Sequence, residues 1–314
     1  MTNKFSRLVS VHSPKSTRAA KYNSTIRPVL VKFAEKHSVK FIEIPIVDLP
    51  YFMTRDIIER GLMDGDLIVA AGGDGIVNVT LDAAMSSQKD LILAAIPLGN
   101  VNDFTSVINS GITDPVTILD SKVVDFHPLD LSVNGEHELY SGQYISFGAT
   151  TVLVDWLNSP EIRAARKKYR GNVARLMVLG GRNMGIISKN IATLKIPSFR
   201  HEGKTVHKNS VGFFLGRTGK FFRPQNGRKF HKSSDEFWFH TDNFHGKTTR
   251  DTMKLTRWLL RGIPGKISTH EKLEFTAPTN LVCQVGGDNV LLENVSEVTC
   301  QRAKKPIKIL APKK

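Results

Sequence analysis

The chain has 314 residues, 40% of them hydrophobic and 23% charged, which excludes a disordered or fibrous protein and suits two globular domains at about 100–200 residues each. Two cysteines, Cys283 and Cys300, exclude a disulfide framework, and no run approaches the ~18 apolar residues of a membrane span or resembles a signal peptide near Met1–Val9, so a cytoplasmic protein is expected. Forty-four Lys plus Arg against 29 Asp plus Glu give a net charge of +15, a field that draws nucleic acid, anionic membrane surfaces or phosphorylated small molecules alike.

The first third alternates strand and helix. Phe5–Val11 reads as a strand and Ser13–Ser16 as a polar turn. Arg18–His37 carries helical spacing, Lys40–Val47 is rich in β-branched residues, and Tyr51–Leu62 reads as a helix. Asp66–Ala71 is a compact buried strand running into glycines, Val77–Ser86 has helical periodicity, and Leu91–Ile96 is another buried strand. Short continuous apolar strands separated by helices predict a parallel sheet covered on both faces. From about residue 125 strand-like runs dominate: Leu129–Val133, Gln143–Phe147, Ile191–Ile196, Val211–Leu215, Glu236–His240, Lys272–Phe275, Leu281–Val285 and Val298–Gln301. Helical blocks are expected at Glu161–Leu179 and Thr249–Leu260. The second half therefore reads as mostly antiparallel β, sandwich- or barrel-like. Its basic clusters, Arg163–Arg170, Arg217–Lys229 and Arg250–Arg261, suggest that this half approaches something anionic. The aromatics are not interleaved with these charges as nucleic-acid binding requires, so an anionic membrane surface, approached peripherally, is the expected partner and nucleic acid is not. The ten histidines show no metal-ligand spacing.

Chemistry concentrates in two glycine turns. In DLIVAAGGDGIVNVT a strand delivers the chain into Gly72, Gly73, Asp74 and Gly75, and a helix follows. Glycines let backbone N–H groups approach an anion, and a helix N-terminus adds partial positive charge, so the segment reads as a phosphate cradle. It is not a P-loop, because no Gly-Lys-Ser/Thr follows. Asp74 is costly beside phosphate unless it binds Mg²⁺ or accepts a hydrogen bond from a hydroxyl. IPLGNVNDF stands in the equivalent place after the next strand, where open α/β sheets bind ligands, with Gly99, Asn100, Asn102 and Asp103 expected to face that crevice.

These residues carry a resemblance. Gly72-Gly73-Asp74-Gly75 followed by Asn78 resembles the GGDGT-x-N signature of the diacylglycerol and sphingoid-base kinases, and Pro97-Leu98-Gly99 with Asn102-Asp103-Phe104 is similar to their PLGTxNDF motif. Ser13-Pro14-Lys15-Ser16 resembles their NPxSG turn, Lys167–Gly171 their substrate-domain helix, and Ile307–Pro312 their closing strand. The resemblance implies an α/β nucleotide-binding domain over residues 1–124 and a β-rich substrate domain over 125–314, with the tail packing back near the first. It implies an enzyme that moves the γ-phosphoryl of Mg-ATP to a lipid hydroxyl. The phosphates would be held by Gly72, Gly73, Asp74 and Gly75 with help from Ser13, Lys15 and Ser16, with Asn100 in place of a nucleotide-contacting Thr. Asp288 stands at the general-base position and Asp235 near a metal-binding loop, and Mg²⁺ bridges the phosphates. Besides Asn100, positions that depart from the family's pattern are Ile76 for Thr, Val79 for an acidic residue, Val101 for Gly or Ala, Gly286 for Asp and Asp288 for Glu. A nucleotide- or lipid-binding relative without turnover, and an NAD-kinase-like phosphotransferase, are the alternative readings.

Overall fold

A computed structural model describes residues 5–14, 18–99, 102–162, 164, 200–201, 204–205, 211–216, 237–243, 250, 253, 268–270, 272–276 and 280–312. Two units emerge: one takes Met1–Asp130, Leu139–Gln143 and Arg302–Lys314, the other Leu131–Glu138 and Tyr144–Gln301. The chain leaves the first unit after Asp130 and re-enters it twice.

In the first unit β1 (Arg7–His12) leads through α1 (Ala19–Lys21), a π-helical turn (Tyr22–Ile26) and α2 (Arg27–Lys36) to β2 (Lys40–Pro45). Next come α3 (Tyr51–Gly61), β3 (Asp66–Gly72), α4 (Asp74–Ser86), β4 (Ile92–Pro97), α5 (Asp103–Ile108), α6 (Pro115–Leu119) and β5 (Lys122–Phe126). All seven residues of β3 are buried, because helices cover both faces of a central parallel strand, which is why its sequence is continuously apolar. The sheet order β2-β1-β3-β4 is parallel. Beyond β4 lies the last strand of the chain, paired parallel to β4 and antiparallel to β5. Its Leu310 belongs to the same core as Leu8, Leu30, Leu67, Val69 and Ile96.

Arg7 opens β1 and grips Asp66, which opens β3, through two bonds of 2.8 and 2.6 Å. Asp66 is fully buried and also accepts the N–H of Met63. The hydrogen bonds that Arg7 donates to Asp66 raise the pKa of its guanidinium, which stays charged. Removing one partner strands a buried charge. Arg7→Met is expected to destabilise the protein by about 3–5 kcal/mol in urea unfolding.

The second unit holds β6 (Leu129–Val133), β7 (Glu136–Ser141), β8 (Tyr144–Gly148), α7 (Ala149–Asn158), β9 (Arg200–His201), β10 (Lys204–Thr205), β11 (Val211–Gly216), β12 (Phe237–Asn243), β13 (Ser268–His270), β14 (Lys272–Thr276), β15 (Leu281–Val285), β16 (Asp288–Leu292) and β17 (Glu297–Arg302), some of whose end residues fall in the first unit; β18 (Ile307–Ala311) is the returning strand. One antiparallel sheet runs β13-β12-β11-β8-β15-β16, another β14-β17-β6-β7. Phe147 and Phe275 meet edge to face at 5.5 Å in this core. The mixed α/β reading with an antiparallel second half therefore holds. Helix α7 stands where no helix was expected. The expected strand Ile191–Ile196, all but a few residues of the two expected helical blocks, and most of the basic clusters lie outside the described residues.

Candidate functional site

Strand β3 ends at Gly72 and α4 begins at Asp74, three residues earlier than the periodicity predicts, with Gly73 as its cap. The two glycine turns touch backbone to backbone. Leu98 N–H bonds Gly72 O at 2.8 Å, and a Cβ on Gly99 would stand 2.4 Å from the Cα of Gly73. Only glycine fits there, which is the physical content of the repeated motif. The Asn102 side chain folds back on this turn: Oδ1 accepts Gly99 N–H and Nδ2 donates to Gly99 O, both at 2.7 Å. Asn102 has φ of 53°, a left-handed conformation that asparagine tolerates. Its carboxamide thus shapes the second turn. Ile76 lies against Gly72, whose added Cβ would sit 2.5 Å from the Ile76 Cβ, so apolar atoms flank the cradle.

Asp74 occupies the first turn of α4, and its Oδ1 accepts Gln143 Nε2 at 2.6 Å and Phe104 N–H at 3.3 Å. One helical turn on, Asn78 is 2% exposed and spends its carboxamide on structure: Nδ2 donates to the Tyr51 hydroxyl, and Oδ1 accepts Ser141 Oγ and Gly142 N–H. A further turn on, the buried Asp82 accepts Tyr140 N–H at 2.7 Å, with Arg55 at 3.8 Å. Residues 74, 78 and 82, spaced i, i+4 and i+8, form one polar face of an otherwise apolar helix. That face binds residues 140–143 into the first unit. Tyr140–Gln143 carry no motif, and Asp82 was likewise passed over; the i+4 spacing from Asp74 was the available signal.

At the end of β1, Ser13 is half-buried beside His12. The His12 ring stacks on Tyr22 at 3.9 Å, and burial holds its imidazole below the usual range. Tyr22 in turn bonds Ser10 and Glu43. Lys15, Ser16, Asn100 and Asp235 lie outside the described residues, as does the Asp103 side chain.

In the second unit Asp288 is the exposed first residue of β16. It follows a two-residue turn in which Gly286 and Gly287 have φ of 58° and 97°, conformations that suit glycine and join twisted antiparallel strands tightly. Helix α7 braces this hairpin: Asn158 Nδ2 donates to Gly287 O, and Asn289 Nδ2 donates to Asp155 Oδ1 and Thr151 O. Among the described residues no cluster of three or more His, Cys, Asp or Glu could hold a metal by itself. No helix among them is long and apolar enough to cross a membrane.

A largely parallel sheet with two glycine turns at adjoining strand ends is an arrangement at which α/β folds commonly bind anionic ligands. Residues 8–131 match the diacylglycerol kinase catalytic domain family. It is 29% identical over 168 residues to a protein of Xanthomonas oryzae pv. oryzae named "Probable lipid kinase YegS-like", covering 51% of each chain. It is 32% identical over 81 residues to a diacylglycerol kinase of Bacillus subtilis, covering 25% of this chain and 27% of the other. The chain thus spans about half, or less, of the length of the curated relatives it matches. A solved diacylglycerol kinase from Bacillus anthracis str. Sterne superposes with a TM-score of 0.58 at 14% identity over 99% of this chain and 98% of that one, which shows the shared fold.

Proposed function

We propose that this protein is a kinase that transfers the γ-phosphoryl group of ATP to a lipid hydroxyl. The observation that carries the reading is the cradle itself. Two glycine turns pressed together at the carboxyl ends of β3 and β4 place a carboxylate, Asp74, in the first turn of a helix whose N-terminal N–H groups attract phosphate. The matched domain and the lipid kinases among the relatives support a lipid acceptor. Gly72, Gly73 and Gly75 would give the phosphates backbone N–H donors, and Ser13, Lys15, Ser16 and Asn100 are proposed to help hold them. Mg²⁺ is commonly held by one or two carboxylates together with substrate phosphates, and Asp74 suits that donor set without an all-protein cage. When bound, the metal neutralises charge on the phosphates. Asp288 takes the proton of the lipid hydroxyl, and the basic second half brings the protein to an anionic surface where such a lipid resides.

The test is ADP release by purified protein with Mg-ATP and mixed micelles holding diacylglycerol, sphingoid base or monoacylglycerol in turn. Lipid-dependent release supports the reading and names the acceptor class. Silence with every lipid, while ATP still raises the melting temperature, would leave a binding protein. In the same assay Ile76→Thr restores a hydroxyl beside Gly72 and is expected to lower the KM for ATP. One added hydrogen bond to a charged group stabilises by about 1.5–3 kcal/mol, or roughly 10- to 100-fold.

A further inference from the structure

We infer that Gln143 is a positioning residue that holds the Asp74 carboxylate in working geometry; the inference rests on the kinase reading of the same cradle. Gln143 is 69 residues from Asp74 in sequence and 1% exposed, and its Nε2 donates to Asp74 Oδ1 at 2.6 Å. That contact fixes the amide's orientation, because turning the amide over would set Oε1 against a carboxylate oxygen. In this orientation Oε1 is buried with no hydrogen-bond partner. A buried acceptor left unpaired costs stability, so an apolar side chain of similar shape would suit the packing better. The polar side chain is kept for what its other end does, and that end meets Asp74.

The surroundings hold Gln143 in place. Asn78 binds the turn that precedes it through Ser141 and Gly142. A Cβ on Gly142 would stand 2.5 Å from the ring of Phe104, the residue whose N–H also donates to Asp74 Oδ1. The turn, the aromatic ring and the carboxylate are therefore fixed together. The choice of an amide also has an electrostatic reason. A lysine or arginine there would neutralise Asp74, and a second carboxylate would repel it. A glutamine orients the group without cancelling its negative charge.

The experiment compares wild type, Gln143→Leu, Asp74→Asn and the double variant. Mg-ATP affinity is measured by titration calorimetry, lipid-dependent ADP release in micelles, and melting temperature by calorimetry. Gln143→Leu removes the unpaired oxygen but also the Nε2–H donor to Asp74, so the melting temperature is measured to separate any fall in stability from the loss of binding. The variant should weaken Mg-ATP binding and kcat about tenfold or more, and add less than twofold to the loss in the Asp74→Asn background. Gln143→Met serves the same comparison if the leucine variant does not fold. Unchanged affinity and turnover in a folded Gln143 variant would overturn the inference while leaving the kinase reading intact. Additive losses would also overturn it, since Gln143 would then act apart from Asp74. If wild type binds Mg-ATP but releases no ADP with any lipid, the kinase reading fails, and the affinity comparison still decides the role of Gln143.

Discussion

Asp74→Asn is expected to leave the fold intact and to reduce lipid-dependent ADP release by ~10²–10³-fold, the range that loss of one preorganised charge-stabilising group produces. The substitution is chosen because it separates charge from structure. An asparagine Oδ1 can accept the same bonds from Gln143 Nε2 and Phe104 N–H that the carboxylate accepts. These two bonds can then persist, and the melting temperature is measured beside the activity to show that the fold survives. Only the negative charge disappears from the cradle. Turnover that survives this change would show that Asp74 is a structural acceptor and that the reaction proposed here draws its carboxylates from elsewhere.

Removing the last strand is expected to have the largest effect on stability. A chain ending at Gln301 lacks β18, which lies between β4 and β5 in the six-stranded sheet. Ile307, Ile309 and Leu310 are all buried there. Burying each side chain contributes about 1.5–3 kcal/mol, so the three together contribute about 5–9 kcal/mol. A domain's whole stability is only about 5–15 kcal/mol. The hydrogen-bonding edges of β4 and β5 would also lie open to other chains. The truncated protein should therefore lose the cooperative unfolding of its first unit and aggregate, as read by calorimetry and light scattering. The point substitution Leu310→Ala should remain folded and cost about 2–5 kcal/mol. A truncated chain that unfolds cooperatively at the wild-type temperature would mean that β18 adds little to the sheet.

Much of the first unit was legible in its residues. Strands β1 to β4 and helices α3 and α4 fall within a few residues of their expected bounds, and the helix expected over Arg18–His37 is divided among α1, a π-helical turn and α2, because buried strands and amphipathic helices write their period into the sequence. The glycine motif was legible for a steric reason, since no other residue fits where Gly73 meets Gly99. Hairpin strand β7 was missed although Asn134-Gly135, with φ of 52° and 87°, carries a strong turn signal. Its polar residues hid the alternation. Strand β16 was overlooked for a similar reason, its glycine turn having been weighed as a motif and not as a hairpin.

Nearest neighbours along the chain impose the order of strands and helices, the glycine turns after β3 and β4, and the acidic residue set among them. Those features depend on local sterics and on burial of a repeating face, and both are written at short range. Three features are visible in the folded chain alone: Asn78 and Asn102 spend their carboxamides on backbone and neighbouring side chains, residues 139–143 return to the first unit, and Gln143 meets Asp74. Each of these is a pairing between segments distant in the chain. Such a pairing is chosen by which buried polar groups can satisfy one another once the chain has folded, and no local pattern records that choice.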